Sequence, residues 1–322
     1  MLFTNLSIRL PLRQGRALLA LTPRDILDTG GLHAQIRVQS QRLLSMFAQQ
    51  PRLSALFATQ QRWLMSHIVL AMHFNLIAAG RPPGFGKTQA LDAVHGSGVA
   101  SRNTAEACLN ELIHYSFVQQ TADPADRRRQ RLIIAPVALD AISGWLQIHF
   151  ATLDAMAGGE RLNIYLRSPD MIAHIQPAIA KGLLASRAVR VPAGTFSLFT
   201  WLDNGGAVMD WLIAAMPDMP AEAERVPVGA VDITDMAAMF GLSRTHLSRK
   251  LKQAEDLGSM GWDGRRGRSG LWVSRTFRRE YDEAQAVKLS IIDHAFAALA
   301  THKDLATLPF PAEISPEKVK HA

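Results

Sequence analysis

Two stretches of this chain place cationic and hydrogen-bonding side chains where a polyanion can be read. Ser101-Arg102-Asn103-Thr104 opens one apolar-periodic segment, and Ser243-Arg244-Thr245-His246-Leu247-Ser248-Arg249-Lys250-Leu251-Lys252 opens another. An arginine-rich tip follows each: Arg127, Arg128, Arg129 and Arg131 after the first, and Gly264-Arg265-Arg266-Gly267-Arg268-Ser269-Gly270 after the second. Arginine and asparagine side chains pair with base edges in a major groove, while clustered arginines neutralise phosphates. The chemistry implied is recognition rather than bond-making. No paired carboxylates and no nucleophile–base constellation stand out.

Other motifs point elsewhere and fall short. Gly80-Arg81-Pro82-Pro83-Gly84-Phe85-Gly86-Lys87-Thr88 ends like a phosphate-binding loop. That pattern needs four residues between its first glycine and Gly-Lys-Thr, and a strand before it. Gly80 leaves five, Arg81 occupies the required place, and the preceding run has a helical pattern. The stretch therefore reads as a turn with Lys87 and Thr88 opening a helix to His95. His67 and His73 are six apart, off the i, i+3 or i+4 spacing that would place both on one helix face as metal ligands. Cys108 sits among apolar neighbours and reads as a small buried hydrophobe.

Composition bounds the remaining possibilities. With 322 residues, 48% hydrophobic and 20% charged, the chain can bury a substantial core, and its length suggests about two domains. The net charge is +7, and it is concentrated. Between Gly241 and Arg279 ten Lys/Arg oppose three acids, so this segment carries the whole excess. A single cysteine excludes an intramolecular disulfide framework and fits a reducing compartment. The N-terminus lacks the cationic start and clean apolar core of a secretory signal. The apolar run Trp63–Ala79 is interrupted by Ser66, His67, His73 and Asn75, which predicts a buried helix and not a membrane span. A cytoplasmic location is expected.

These side chains need elements that present them. A helix over 88–95, the turn Gly96-Ser97-Gly98 and a helix from Ser101 toward Val118 form a helix-turn-helix. Ala105, Cys108, Leu109, Leu112 and Ile113 share its inward face, and Asn103, Glu106, Ala107 and Asn110 point away. The pattern returns at an offset of 142, where Ser243-Arg244 matches Ser101-Arg102 and Leu251 matches Leu109. In the second copy Leu247, Leu251 and Ala254 face inward, while Thr245, Ser248, Arg249 and Lys252 face out. The second face is basic and the first nearly uncharged.

The predicted fold is mainly α with short β wings: two winged helix-turn-helix modules joined by a helical core, a pseudo-dimer in one chain. The expected divisions are an N-terminal helical arm over 1–60, a first module over 61–140 and a helical middle over 141–227. A second module follows over 228–276, then a closing helix and tail over 277–322. Pro217, Pro220 and Pro227 mark a linker. Phe196, Phe199, Trp201 and Trp211 cluster in sequence, a spacing that reads first as core, with a wall of a ligand site as the alternative.

Residues from about 35 to 155 resemble the MarR family of winged-helix transcriptional regulators, whose wing carries an Asp-x-Arg-x-x-Arg core supplied here by Asp126, Arg128 and Arg131. The resemblance implies that the helix from Ser101 is a recognition helix and that Arg128 or Arg131 enters the minor groove. It also implies double-stranded DNA as partner and, in many such proteins, a small aromatic effector. The chain is about twice the usual length of that family. The expectation is a sequence-specific DNA-binding regulator, without cofactor or metal, working as a pseudo-symmetric monomer or a homodimer. A plasmid-type replication initiator with tandem winged helices is the alternative, and a nucleotide-binding enzyme a weaker one.

Overall fold

A computed structural model describes residues 20–49, 59–123 and 128–301. It is mainly helical with two small antiparallel sheets. The chain opens with α1 (Pro23–Leu27), α2 (Leu32–Gln49) and α3 (Gln60–Ala78), and continues through α4 (Lys87–Gly96) and α5 (Arg102–His114). A hairpin of β1 (Val118–Ala122) and β2 (Gln130–Ile134) leads into α6 (Pro136–Ala157). The second half follows the same order. It begins with α7 (Arg161–Arg167), α8 (Ile172–Ala185), the short α9 (Arg187–Arg190) and α10 (Gly194–Thr200), then α11 (Gly205–Ala215). Strand β3 (Arg225–Asp232), α12 (Ile233–Met239), α13 (Arg244–Asp256), β4 (Met260–Trp262) and β5 (Arg268–Ser274) precede the closing α14 (Arg275–Thr301).

The two central units match in detail. Ser101 and Ser243 cap α5 and α13, each side-chain oxygen accepting from a backbone N–H three residues on, which satisfies a donor that the first helical turn leaves free. Both helices end in a left-handed residue at the same offset, Ser116 (φ 60°) and Gly258 (φ 69°). The following amide then reaches back to close the helix end, Phe117 N to Leu112 O and Ser259 N to Ala254 O. Phe85 forms an isolated antiparallel bridge to Leu132, the counterpart of β3 pairing with β5. The second sheet has strand order β3-β5-β4.

Packing within and between the halves is matched. Helix α2 packs on α6 as α8 packs on α14, α3 packs on α8 as α11 packs on α2, and α1 packs on α14 as α7 packs on α6. Helices α6 and α14 meet each other. A run such as Leu146, Phe150 and Leu153 on α6, wholly buried, explains why: each helix must find apolar surface that its own half does not supply.

Several boundaries differ from those expected. The recognition-type helix stops at His114, and Val118 begins a strand, because the left-handed Ser116 breaks the helical path. Pro227 is not in a linker but inside β3, where an edge strand tolerates a missing N–H and the register shifts between Pro227 and Gly229. The second unit therefore begins at Arg225 and not at 228. Nor does the core divide in the expected way. One cluster serves the first unit, from Met65 to Ile142 with Ala173, while the second unit shares a continuous core with α2, α6, α8, α11 and α14. Phe199 is core, Phe196 and Trp211 pack against that core, and Trp201 lies 52% exposed, so these four aromatics do not wall one pocket.

Candidate nucleic-acid interface

Helix α5 buries Ala105, Cys108, Leu109 and Leu112 and thereby turns Arg102, Asn103, Thr104, Ala107 and Asn110 to solvent. Burial pushes the Cys108 thiol up, as suits a packing residue. Ser101 is exposed but committed to the cap, and its hydroxyl also shares a 2.9 Å hydrogen bond with Thr104. Arg102 pairs with Asp92 of α4. Lys87, the lysine of the phosphate-loop lookalike, puts Nζ 2.7 Å from Glu106 Oε1 and donates to Asn110 Oδ1 at 3.0 Å. The Lys87 hydrogen bond holds the Glu106 carboxyl below its usual range. Intramolecular pairs thus occupy much of the first face.

On the first hairpin, Arg128 and Arg129 are exposed. Arg131 is half-buried and turned across the hairpin, with Nε 3.6 Å from Asp123 Oδ2. This contact ties β2 to the end of β1. Asp126 and Arg127 lie outside the described residues.

Helix α13 buries Leu247, Leu251 and Ala254, as its apolar spacing predicts. Thr245, Arg249 and Lys252 are exposed, and Ser248 and His246 are half-buried. Arg244 Nε donates to Thr234 Oγ1 at 3.2 Å, at the position equivalent to the Arg102–Asp92 pair. Lys252 reaches Asp256 at 2.7 Å and Glu255 at 3.6 Å. Arg266, expected as a phosphate contact, folds back onto α13. Its Nε donates to Glu255 Oε2 at 3.1 Å, Nη1 to Ser248 Oγ at 3.1 Å and Nη2 to the Ser248 carbonyl at 2.7 Å. Such a fork fits a guanidinium and no other cation. Arg268 approaches Asp232 at 3.7 Å, and Ser243 is spent on its cap.

The basic segment is therefore less available than its composition suggests. Arg278 is buried and donates to the carbonyls of Pro220, Ala221 and Ala223, pinning the approach to β3. Arg275 pairs with Glu224 and Arg279 with Glu283. Of the basic residues between 241 and 279, Arg249, Lys250 and Arg265 keep side chains without an ion pair or hydrogen bond to the described residues. Arg249 and Arg265 are exposed, one on the helix and one at the hairpin tip. The partners that tie up the other cations, Asp92, Thr234 and Glu255, were not anticipated. The offset between the Arg102 and Arg244 contacts is the signal that would have found the first two.

No helix among the described residues is long and apolar enough to cross a membrane. Comparison with protein families, curated proteins and solved structures finds no match to this chain.

Proposed function

We propose that the chain is a sequence-specific, double-stranded DNA-binding transcriptional regulator built from two winged helix-turn-helix modules, with residues 85–134 and 225–274 as the modules. The observation that carries this is the repeated unit: an extended segment paired to the hairpin (a single bridge at Phe85, a strand at β3), helix, tight turn, Ser-capped helix, strand, loop, strand, with helix caps and ends at one offset. In such a unit the second helix enters the major groove and the loop between the last two strands reaches the flanking backbone. Each half would be MarR-like, and the reciprocal packing of α2, α3, α8 and α11 supports one chain standing in for a two-fold dimer.

The two reading helices would then meet successive major-groove faces, about 34 Å apart. They carry different side chains. Arg249, Thr245 and Arg265 supply base and phosphate contacts in the second module, while Asn103, Thr104 and Asn110 offer neutral hydrogen-bonding groups in the first. The bound site should have unequal halves.

Selection of bound duplexes from a randomised pool at near-physiological salt tests the reading. An enriched two-part motif with unlike halves supports it. A perfect palindrome would argue for homodimers using one module per chain, and directly repeated copies would favour the replication-initiator role. No enrichment, with binding that vanishes as salt rises, would leave only charge attraction and overturn it.

A further inference from the structure

The segment between α8 and α11 reaches both modules. At its near end Arg190 Nη2 donates to the Gly98 carbonyl at 3.2 Å, in the turn that leads into α5. The start of α3 seals the same junction, where Gln61 Nε2 donates to the Val99 carbonyl at 2.9 Å and Gln60 Nε2 to the Val189 carbonyl. Val99 and Val189 both pack against the large shared core. Five residues beyond Arg190, Thr195 is wholly buried, and its hydroxyl shares a hydrogen bond with that of Ser259, which is buried too. Ser259 follows the left-handed Gly258 at the end of α13. Its amide closes that helix on Ala254, and its carbonyl accepts from Ser274 of β5. The Thr195 amide donates to Glu280 Oε2 of α14 at 2.8 Å.

These contacts make a strut from the entrance of α5 to the exit of α13. Residues 190 and 195 can stand no more than about 18 Å apart even along an extended chain, so the two attachments are held within a bounded distance. The intervening sequence limits bending. Pro192 fixes one backbone angle. Gly194 adopts the left-handed conformation (φ 59°) at a place where a Cβ would run into the Glu280 carboxylate, so the entry to α10 is built directly against α14. The two attachments differ in strength. Removing one hydroxyl of the buried pair leaves the other without its partner, whereas the Arg190 bond lies near the surface. Gly98, Val99 and Ser259 all lie outside α5 and α13, so the strut acts on where the two helices stand and not on which bases they meet. Each base pair added between two half-sites shifts one groove by about 3.4 Å and turns it by about 35° relative to the other. A rigid strut cannot follow that displacement.

We propose that the 190–195 segment sets the spacing between the half-sites that the chain accepts, with Arg190 and Thr195 as its positioning residues. The spacing role rests on the DNA reading above, and the restraint itself does not. Two measurements on the full chain separate them. In the first, spin labels on Ala107→Cys of α5 and Gln253→Cys of α13, in a Cys108→Ala background, report the distance between the helices in the free protein. The distribution should be narrow, and Arg190→Ala/Thr195→Val should broaden it while thermal melts show the variant folded. In the second, the selected duplex is titrated beside versions with one base pair added to or removed from its spacer. Wild type should lose about tenfold or more on the altered spacers and the double variant about threefold or less, with base preference inside each half unchanged. Thr195→Ser keeps the hydroxyl and should follow wild type. Arg190→Ala alone should show the same relaxation in smaller measure, which decides the matter if Thr195→Val fails to fold. An unbroadened distribution in the folded variant would overturn the restraint. Equal binding of wild type to all spacers, or undiminished discrimination by the folded variant, would overturn the spacing role with the DNA reading intact. A wild type that selects no two-part site would overturn the DNA reading and the spacing role together, and a distribution that still broadens would leave the restraint standing.

Discussion

Arg161 Nε donates to Asp293 Oδ1 at 2.6 Å, joining the start of α7 to the middle of α14. Nη1 of the same guanidinium lies 3.2 Å from Asp154 Oδ1 and donates to the Gly158 carbonyl at 2.8 Å. Asp154 stands to the start of α6 as Asp293 stands to the start of α14. Each also receives the backbone entering a short helix: Asp154 accepts from the amides of Arg161 and Leu162, and Asp293 from that of Leu21. One arginine thus bridges equivalent carboxylates of the two halves. Arg161→Ala would leave both carboxylates without their cation, and Asp293 is almost fully buried. A loss of about 3–5 kcal/mol in urea unfolding is expected. The Arg161→Met/Asp293→Leu double variant should recover much of it; equal destabilisation of both would mean that the loss is one of packing.

For DNA recognition, Arg249 and Arg266 should now separate. Arg249 is exposed and unpaired, so Arg249→Ala should cost about 1–3 kcal/mol on the selected site and relax preference at one base position. Arg266 is a brace between the hairpin tip and α13, with bonds to Ser248 and Glu255. Arg266→Lys keeps the charge but not the fork, and should lower affinity with little change in the salt slope. A fall of about one in that slope for Arg266→Ala alone, with Arg266→Lys unaffected, would restore Arg266 as a direct phosphate contact.

Glu106 gives a test of the first module by itself. Its carboxylate faces outward on α5 and holds Lys87 by an ion pair. If α5 lies in a groove, Glu106→Gln removes a repelling charge and releases a cation beside the backbone. Affinity should rise by roughly 1 kcal/mol at low salt, with a steeper salt dependence. An unchanged binding isotherm would mean that the first module stays off the DNA.

How far the sequence exposed all this depends on what each feature rests on. The two serine-capped helices were legible because a cap and an apolar face at i, i+3, i+4 are local properties, and the repeated offset showed them twice. The buried α3 was legible for another local reason, an apolar run broken by Ser66, His67, His73 and Asn75. The partners of Arg266 and Arg131 were not legible, because a hairpin arginine can turn inward or outward and only groups distant in sequence, Ser248 and Asp123, settle which. The strut between the modules was illegible. It joins Arg190 to Gly98 and Thr195 to Ser259, partners that only the tertiary fold brings together, and the aromatic cluster that drew attention, Phe196 to Trp211, contributes mostly core.

The buried basic groups make stability depend on pH from both sides. The folded Lys288 titrates at about 8, below its ordinary 10.5, because burial disfavours its charge. Between these values the unfolded chain binds the proton and the folded chain does not, so stability rises as pH increases from about 8 toward 10.5. Below about 8 the cost of the buried ammonium is fully present. Lys288→Met should therefore raise Tm at pH 7, and the gain over wild type should shrink by pH 10. His67 acts at the other end. Burial lowers it from 6.5 to about 3, so over that interval the unfolded chain takes up a proton that the folded chain refuses, and stability falls as pH drops. His67→Gln should flatten the decline between pH 6.5 and pH 4 in urea midpoints, leaving His149 to supply the remainder. A Tm gain for Lys288→Met that is the same at pH 7 and pH 10 would mean that the methionine improves packing and that the charge costs nothing.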